Sequence, residues 1–382
     1  MFSKCVYAVI AIFVIFANKI EAQVSNLGLE QNIEMSDSND QTISLRIANQ
    51  NFLRNNEYFH DIANGYTLFG SLLQTNISYQ PHKHLIIQGG VFIRKDFGNG
   101  TFKEISPILS LKYQKNNFAL IVGNLEANFS HRLIEPIFNF ERFVTNNVEN
   151  GIQLKFDNKR IWTDTWINWE VMQYNQSNYQ EEFTAGYSSQ FQVFNNAKSS
   201  LTIPIQGLLV HQGGQIDTIN QAVQTKFNLA LGFDYKFKFK SRLLKELNFQ
   251  NYYLMYREAG NSKLNPYTTG EGVYLNAMLN SNYNLNASVS YWFGKTFLAS
   301  RGGDLFQSVP SLYNRSTVLS PLRQLLFVRL LYQKLLFHDF YLDLRLEPYF
   351  DINNNFFEHA QSVYITYRHS FSLSKVKIKT LQ

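Results

Sequence analysis

The chain has 382 residues and a formal net charge of +6, with 45% hydrophobic, 15% aromatic and 17% charged residues. That balance is too apolar and aromatic for a disordered chain, and a modest positive excess spread along the sequence offers no concentrated surface for nucleic acid. The single cysteine is Cys5, so no disulfide framework or thiolate metal site is expected beyond it.

Met1–Ala22 carries Lys4, an apolar run over Val6–Ala17, and the polar stretch Asn18–Ala22. The run is shorter than the ~20 residues a membrane-spanning helix needs, and it fits the core of a signal peptide. Residues 1–22 are therefore expected to be removed. Residues 23–40 carry no strand pattern. From Gln41 to Leu373 the sequence alternates with period two. Segments fall at roughly 41–52, 66–79, 84–97, 105–114, 118–129, 148–156, 161–172 and 183–194, then 201–210, 223–239, 247–256, 272–279, 285–298, 323–337, 340–350 and 361–373. That predicts about sixteen strands. No later apolar run approaches the length of a spanning helix.

The segment Phe340–Phe350, FYLDLRLEPYF, shows the pattern at its clearest. Successive strand side chains point to opposite faces. Leu342, Leu344 and Leu346 therefore share one face, and Asp343, Arg345 and Glu347 share the other. A soluble sheet with one wet face would explain this strand taken alone. The connections decide otherwise. Short ones (80–84, 115–117, 157–160, 195–200, 338–339) alternate with long ones (54–65, 130–147, 173–182, 258–271, 300–322). Sorted loop lengths are a property of transmembrane barrels, with short turns on one side and long loops on the other. The expected fold is an all-β, antiparallel, up-and-down transmembrane barrel, with leucines in lipid and charges in a wet lumen.

On this architecture the chain resembles Gram-negative outer-membrane β-barrels of the porin-like kind. The resemblance covers nearly all of the chain and includes no substrate-specific motif. It implies an outer-membrane location, contact with outer-membrane lipids, insertion by the barrel-assembly machinery, and a homo-oligomer as one option. It makes 23–40 a short periplasmic segment, 41–373 the barrel, and 374–382 either a tail or the end of the last strand. Barrels of this kind often finish on Phe; here Phe371 is followed by eleven more residues.

Three groups of residues are candidates for function. The third long loop, Ser130–Asn147, mixes Arg132, Glu135, Glu141 and Arg142 with Leu133, Ile134, Ile137, Phe138, Phe140 and Phe143. The resemblance implies that it folds inward to narrow the pore; the alternative is packing at the rim. On the lumen wall, Arg46, Arg329, Arg345 and Arg368 fall on strands that become neighbours when the barrel closes, with Asp343 and Glu347 beside them. They would either set a positive field or pair with those carboxylates. Trp162 and Trp166 share a face with Asp164, Asn168 and Glu170. They would stack on sugar-like solutes or pack beneath the loop.

No catalytic, cofactor-binding or metal-binding residues are assigned, and no cofactor is expected. His369 and Ser370 point to opposite faces, and no nucleophile motif is present. The expected function is a channel for small polar solutes, anions or sugars among them, rather than an enzyme. The alternatives are a barrel plugged by its loops whose outer loops bind a partner, and a barrel enzyme.

Overall fold

The computed structural model describes residues 29, 31–36, 39–260, 264–311 and 317–376. The expected signal peptide and residues 377–382 lie outside these. The strands are β1 (Thr42–Glu57), β2 (Tyr66–His82), β3 (Leu85–Asp96), β4 (Glu104–Lys115), β5 (Phe118–Asn124), β6 (Asn150–Asp157), β7 (Ile161–Val171) and β8 (Glu182–Asn195). They continue with β9 (Ser199–Gln212), β10 (Gln224–Lys238), β11 (Leu244–Ala259), β12 (Thr269–Ser281), β13 (Leu285–Lys295), β14 (Leu322–Phe337), β15 (Phe340–Asp351) and β16 (Phe356–Lys375). Each pairs with its sequence neighbours, and β1 pairs with β16, so the sheet closes into a sixteen-strand barrel.

Closure matters because a long open edge would invite aggregation. The β1–β16 ladder runs from Thr42↔Lys375 to Glu57↔His359, the whole length of β1. The last strand therefore runs on past Phe371 to Lys375. The short turns are made possible by residues that tolerate the left-handed region: Asn116, Asn284 and Asp339 all have positive φ.

The alternation is the one read from sequence. In β15, Leu344 and Leu346 are exposed outward while Asp343, Glu347 and Asp351 are buried inward. One expectation needs correction: the inward charges do not face an open, wet lumen. Sixteen strands enclose a space wide enough for an aqueous channel, but here that space is filled. The third outer connection (residues 125–149) and the seventh, through its residues 296–311, fold into it. The third contains a 3-10 turn at Asn128–His131 and a single α-helical turn at Arg142–Thr145. Leu133, Ile134 and Ile137 from the third, with Phe297 and Phe306 from the seventh, pack against Trp166, Leu208, Leu254, Trp292 and Leu325 of the wall. Such complete burial of wall residues is impossible in an empty cylinder.

The segment before β1 is also corrected in part. Its described residues do not hang below the barrel. Leu29 packs with Phe52, Leu72, Phe92, Phe140 and Phe143 inside it. The Ile33 amide donates to Glu126 at 2.9 Å, and the Gln31 amide group donates to Asn147 at 2.7 Å.

Candidate functional site

The centre of the plug is a cluster of charges that converge on Glu347. Arg54 on β1 donates to Glu141 and to Glu347, each at 2.7 Å. Arg329 on β14 donates to Glu347 at 3.1 Å and to Glu135 of the third loop. Arg345 on β15 donates to Glu347 at 3.2 Å, and its guanidinium lies 3.6 Å from the Phe140 ring centroid. Tyr66 and Asn56 complete the shell of Glu141, and Tyr274 accepts from Arg329 at 2.9 Å. Three arginines meet three carboxylates, so the cluster is formally neutral. Buried charges are tolerated only when paired and hydrogen-bonded in this way.

The four wall arginines expected to form one ladder are therefore divided. Arg329 and Arg345 join the cluster, together with Arg54, which the sequence reading missed. Arg46 donates to the Asn32 carbonyl, and Arg368 lies 5.8 Å from the Tyr341 ring. Both line a cavity of about 80 Å³ between the segment before β1 and the wall. Asp343 accepts from Gln333 at 2.7 Å. Of the expected loop residues, Glu135 and Glu141 are in the cluster. Arg142 lies 3.8 Å from Glu170, and Arg132 donates to Gln190 at 2.9 Å.

The tryptophans do face inward, but their planes are occupied. Arg132 sits 4.0 Å above the Trp162 ring, and His131 stacks on Trp166 with ring centroids 3.6 Å apart. Of the two roles the sequence left open, solute stacking and packing beneath the third loop, these contacts are those of packing. Gly186 stands opposite Trp166 in the ladder. A Cβ there would lie 2.1 Å from the indole, so glycine is what leaves room for it.

The two inward loops interlock. The Asn139 amide donates to the Arg301 carbonyl at 2.6 Å, and the Gly303 amide donates to the Glu135 carbonyl at 3.0 Å. Arg301 in turn donates to Glu170 at 3.1 Å and to Glu182. Lower down, Glu126 accepts from Lys112 at 2.7 Å and from Lys155 at 2.5 Å. Burial pushes its carboxyl upward, yet the two ammonium groups outweigh that and hold it at about 2.

Three histidines are placed where chemistry is conceivable. His131 is fully buried and donates from both ring nitrogens, to Asp164 at 2.9 Å and to Glu149 at 3.2 Å. Burial lowers its pKa, but the two carboxylates prevail and raise it to about 9. An imidazolium with both nitrogens committed holds the loop and takes no proton. His60 stands at the outer mouth on the water side of the wall, with Nδ1 2.6 Å from Glu358.

His211 is different. In β9 the inward positions are Gln206, Leu208 and Val210, so His211 turns outward at the outer end of the strand. It stands opposite Thr225 of β10, with Nδ1 2.8 Å from Thr225 Oγ1. The Phe183 ring lies 5.1 Å away and stacks on Trp169. In the outer loop above, Asp217 accepts from Gln180 at 2.9 Å and from the Gly214 amide at 3.0 Å. Those bonds, with the charge of His211 as a smaller contribution, lower its pKa. A hydroxyl bonded to an imidazole, with a carboxylate nearby, is the constellation for nucleophilic acyl transfer. Here it faces the outer-leaflet side of the wall. The sequence reading missed it because His211 and Thr225 lie fourteen residues apart, across a loop; two consecutive period-two segments whose facing ends carry His and Thr were the available signal. Among the described residues no cluster of His, Cys, Asp and Glu is arranged to hold a metal ion.

Solved structures confirm the fold. Acinetobacter baumannii OccAB4 aligns with a TM-score of 0.51 at 11% identity, covering 88% of this chain and 100% of that one. The outer membrane protein OprD from Pseudomonas aeruginosa aligns with a TM-score of 0.51 at 10% identity, covering 89% and 98%. The chain thus has a porin-like fold, a closed sixteen-strand antiparallel β-barrel. No curated protein sequence matches it. A family model described as lipid A 3'-O-deacylase-type matches residues 35–376. This overturns the expectation that the chain is not an enzyme. The chain belongs to the lipid A 3'-O-deacylase-type family.

Proposed function

We propose that the protein hydrolyses an ester-linked acyl chain of lipid A at the outer wall of its barrel, with Thr225 and His211 as the reacting pair. The observation that carries this reading is the 2.8 Å bond between Thr225 Oγ1 and His211 Nδ1 on the outward face, in a chain whose family name is a deacylase. A plugged lumen supports it, because a membrane lipid must then be met from outside.

In this reading Thr225 Oγ1 adds to the ester carbonyl while His211 Nδ1 takes its proton. The adduct expels the sugar alkoxide, which receives that proton and leaves an acyl-threonine. Water, deprotonated by the same imidazole, then releases the fatty acid and restores Thr225. Asp217 stabilises the imidazolium by its charge. Arg257, exposed on β11 two residue pairs below Thr225, is suited to an anionic headgroup. The upstream segment is read in the same terms, with residues 1–22 as a removed signal peptide and the barrel-assembly machinery as the inserting partner.

The test is mass spectrometry of lipid A incubated with the folded barrel. Loss of one acyl chain is expected, absent in Thr225→Ala and His211→Ala variants that remain folded. A folded barrel that removes no acyl chain would refute the assignment. A second reading, passage of small polar solutes past a displaced plug, is favoured by the sixteen-strand girth. Stepwise conductance in a planar bilayer would support it.

A further inference from the structure

The cavity that Arg46 and Arg368 line lies inside the barrel, toward the end that carries the short turns. In the β1–β16 ladder Ala48 stands opposite Arg368, and Arg46 stands opposite Ser370. The two arginines are therefore diagonal neighbours on the inward face, a spacing of about 7–8 Å. The small Ala48 side chain, also in the lining, leaves the space between them open. Gln74, Asn76 and Gln88 of β2 and β3 face them with carboxamides. Gln88 is buried and its carboxamide makes no hydrogen bond among the described residues; the buried Asn76 Oδ1 likewise accepts none. Among the described residues no carboxylate lines the cavity. Arg46 donates to the neutral Asn32 carbonyl. The acidic groups whose charge reaches it, Glu34 and Glu126, stand outside the lining. Glu34 is exposed, and Glu126 is held by Lys112 and Lys155.

A guanidinium withdrawn from bulk water needs a counter-charge. Water fills polar cavities, but it brings no charge. We infer that this cavity binds a small divalent oxyanion, of the class of sulfate and hydrogen phosphate. The planar forks of two arginines suit its oxygens, and the carboxamides complete the shell. At about 15 Å³ for each water-sized atom, a cavity of about 80 Å³ takes a free tetrahedral ion and excludes a lipid headgroup. A carboxamide turns either its NH2 or its oxygen to a ligand. The lining therefore does not separate a protonated oxygen from a bare one, and the two anions should bind alike. Residues 125–149 and 296–311 fill the outer side, so the ion enters from the short-turn end.

The test is calorimetric titration of the full chain, folded in detergent, with sodium sulfate and with sodium phosphate at constant ionic strength. One saturable site with similar affinity for both is expected. Arg46→Gln should weaken binding about ten-fold or more, the loss of a charge-assisted hydrogen bond. Ala48→Leu keeps both charges but fills the space between them, and should abolish binding. Heat-modifiable mobility checks that each variant is folded. Lys295→Gln, outward on β13, should bind like the parent. Glycerol phosphate, a larger monoester, should not bind; its binding would assign the site to a headgroup instead of a free ion. Absence of saturable binding in the parent would leave the cavity to water and overturn the inference. So would equal binding by the parent and Arg46→Gln, or a strong preference for phosphate over sulfate, which requires a carboxylate acceptor.

Discussion

Glu347 shows how far a residue's role can depart from its neighbourhood in sequence. Its strand identifies it as inward-facing, and that much is legible. Its partners, Arg54, Arg329 and Arg345, come from three strands, and two of those arginines also reach carboxylates on an inward loop. No local pattern encodes a triple convergence. Glu347→Gln leaves three buried guanidinium groups sharing two carboxylates. Removing one partner from a buried ionic network costs about 3–5 kcal/mol, so the variant should unfold at lower urea than the parent, with Glu347→Asp intermediate. Equal midpoints would show that the cluster is hydrated. His131 gives a prediction with a sign. Its pKa is raised to about 9, above an unfolded value near 6.5. Its contribution to loop docking is therefore complete below about pH 6.5 and is lost as pH rises through about 9. Hydrogen exchange in residues 125–149, corrected for intrinsic rate, should accelerate between pH 7 and pH 10. His131→Gln should remove that dependence, and an unchanged profile in the variant would assign it elsewhere.

At the scale of elements, strands were readable and loops were not. Period-two alternation locates a strand and its faces because the pleat imposes both, and β15 matches its predicted span. The same alternation cannot say what fills the inside. Leucine in lipid and isoleucine in a plug look alike, which is why Leu133, Ile134 and Ile137 signalled an inward loop without separating a narrowed pore from a filled one. The outward pair His211–Thr225 was hidden for a related reason: register across a strand pair depends on the loop between them. The faces of β15 can be separated by two substitutions. Leu344→Arg puts a charge toward lipid at a cost of about 2–4 kcal/mol near mid-membrane, and should reduce the yield of folded barrel. Arg345→Leu should preserve that yield, since Glu347 retains Arg54 and Arg329, while making the third loop more sensitive to protease. The opposite pattern of yields would place the strand one residue out of register.

For the whole molecule, the question is whether the barrel's girth or its contents decide permeability. Sixteen strands alone would leave an aqueous path, and an excess of arginine on the wall would then favour anions. In the folded chain that field is cancelled: Arg54, Arg329 and Arg345 meet Glu135, Glu141 and Glu347, and two of these carboxylates belong to the third loop. The loop is thus both stopper and counter-charge. Replacing residues 130–147 with a short Gly-Ser linker removes Glu135 and Glu141 together with the apolar residues that seal the centre. It leaves Arg54, Arg329 and Arg345 with Glu347 alone. The parent protein should be silent in a planar bilayer, and the linker variant should conduct with a preference for anions at low salt. That preference should fade as the Debye length falls from about 30 Å at 0.01 M to about 3 Å at 1 M. Reversal potentials across a salt gradient measure it. Equal conductance in parent and variant would mean that the plug does not close the barrel, and cation preference in the variant would mean that the wall arginines do not set its field.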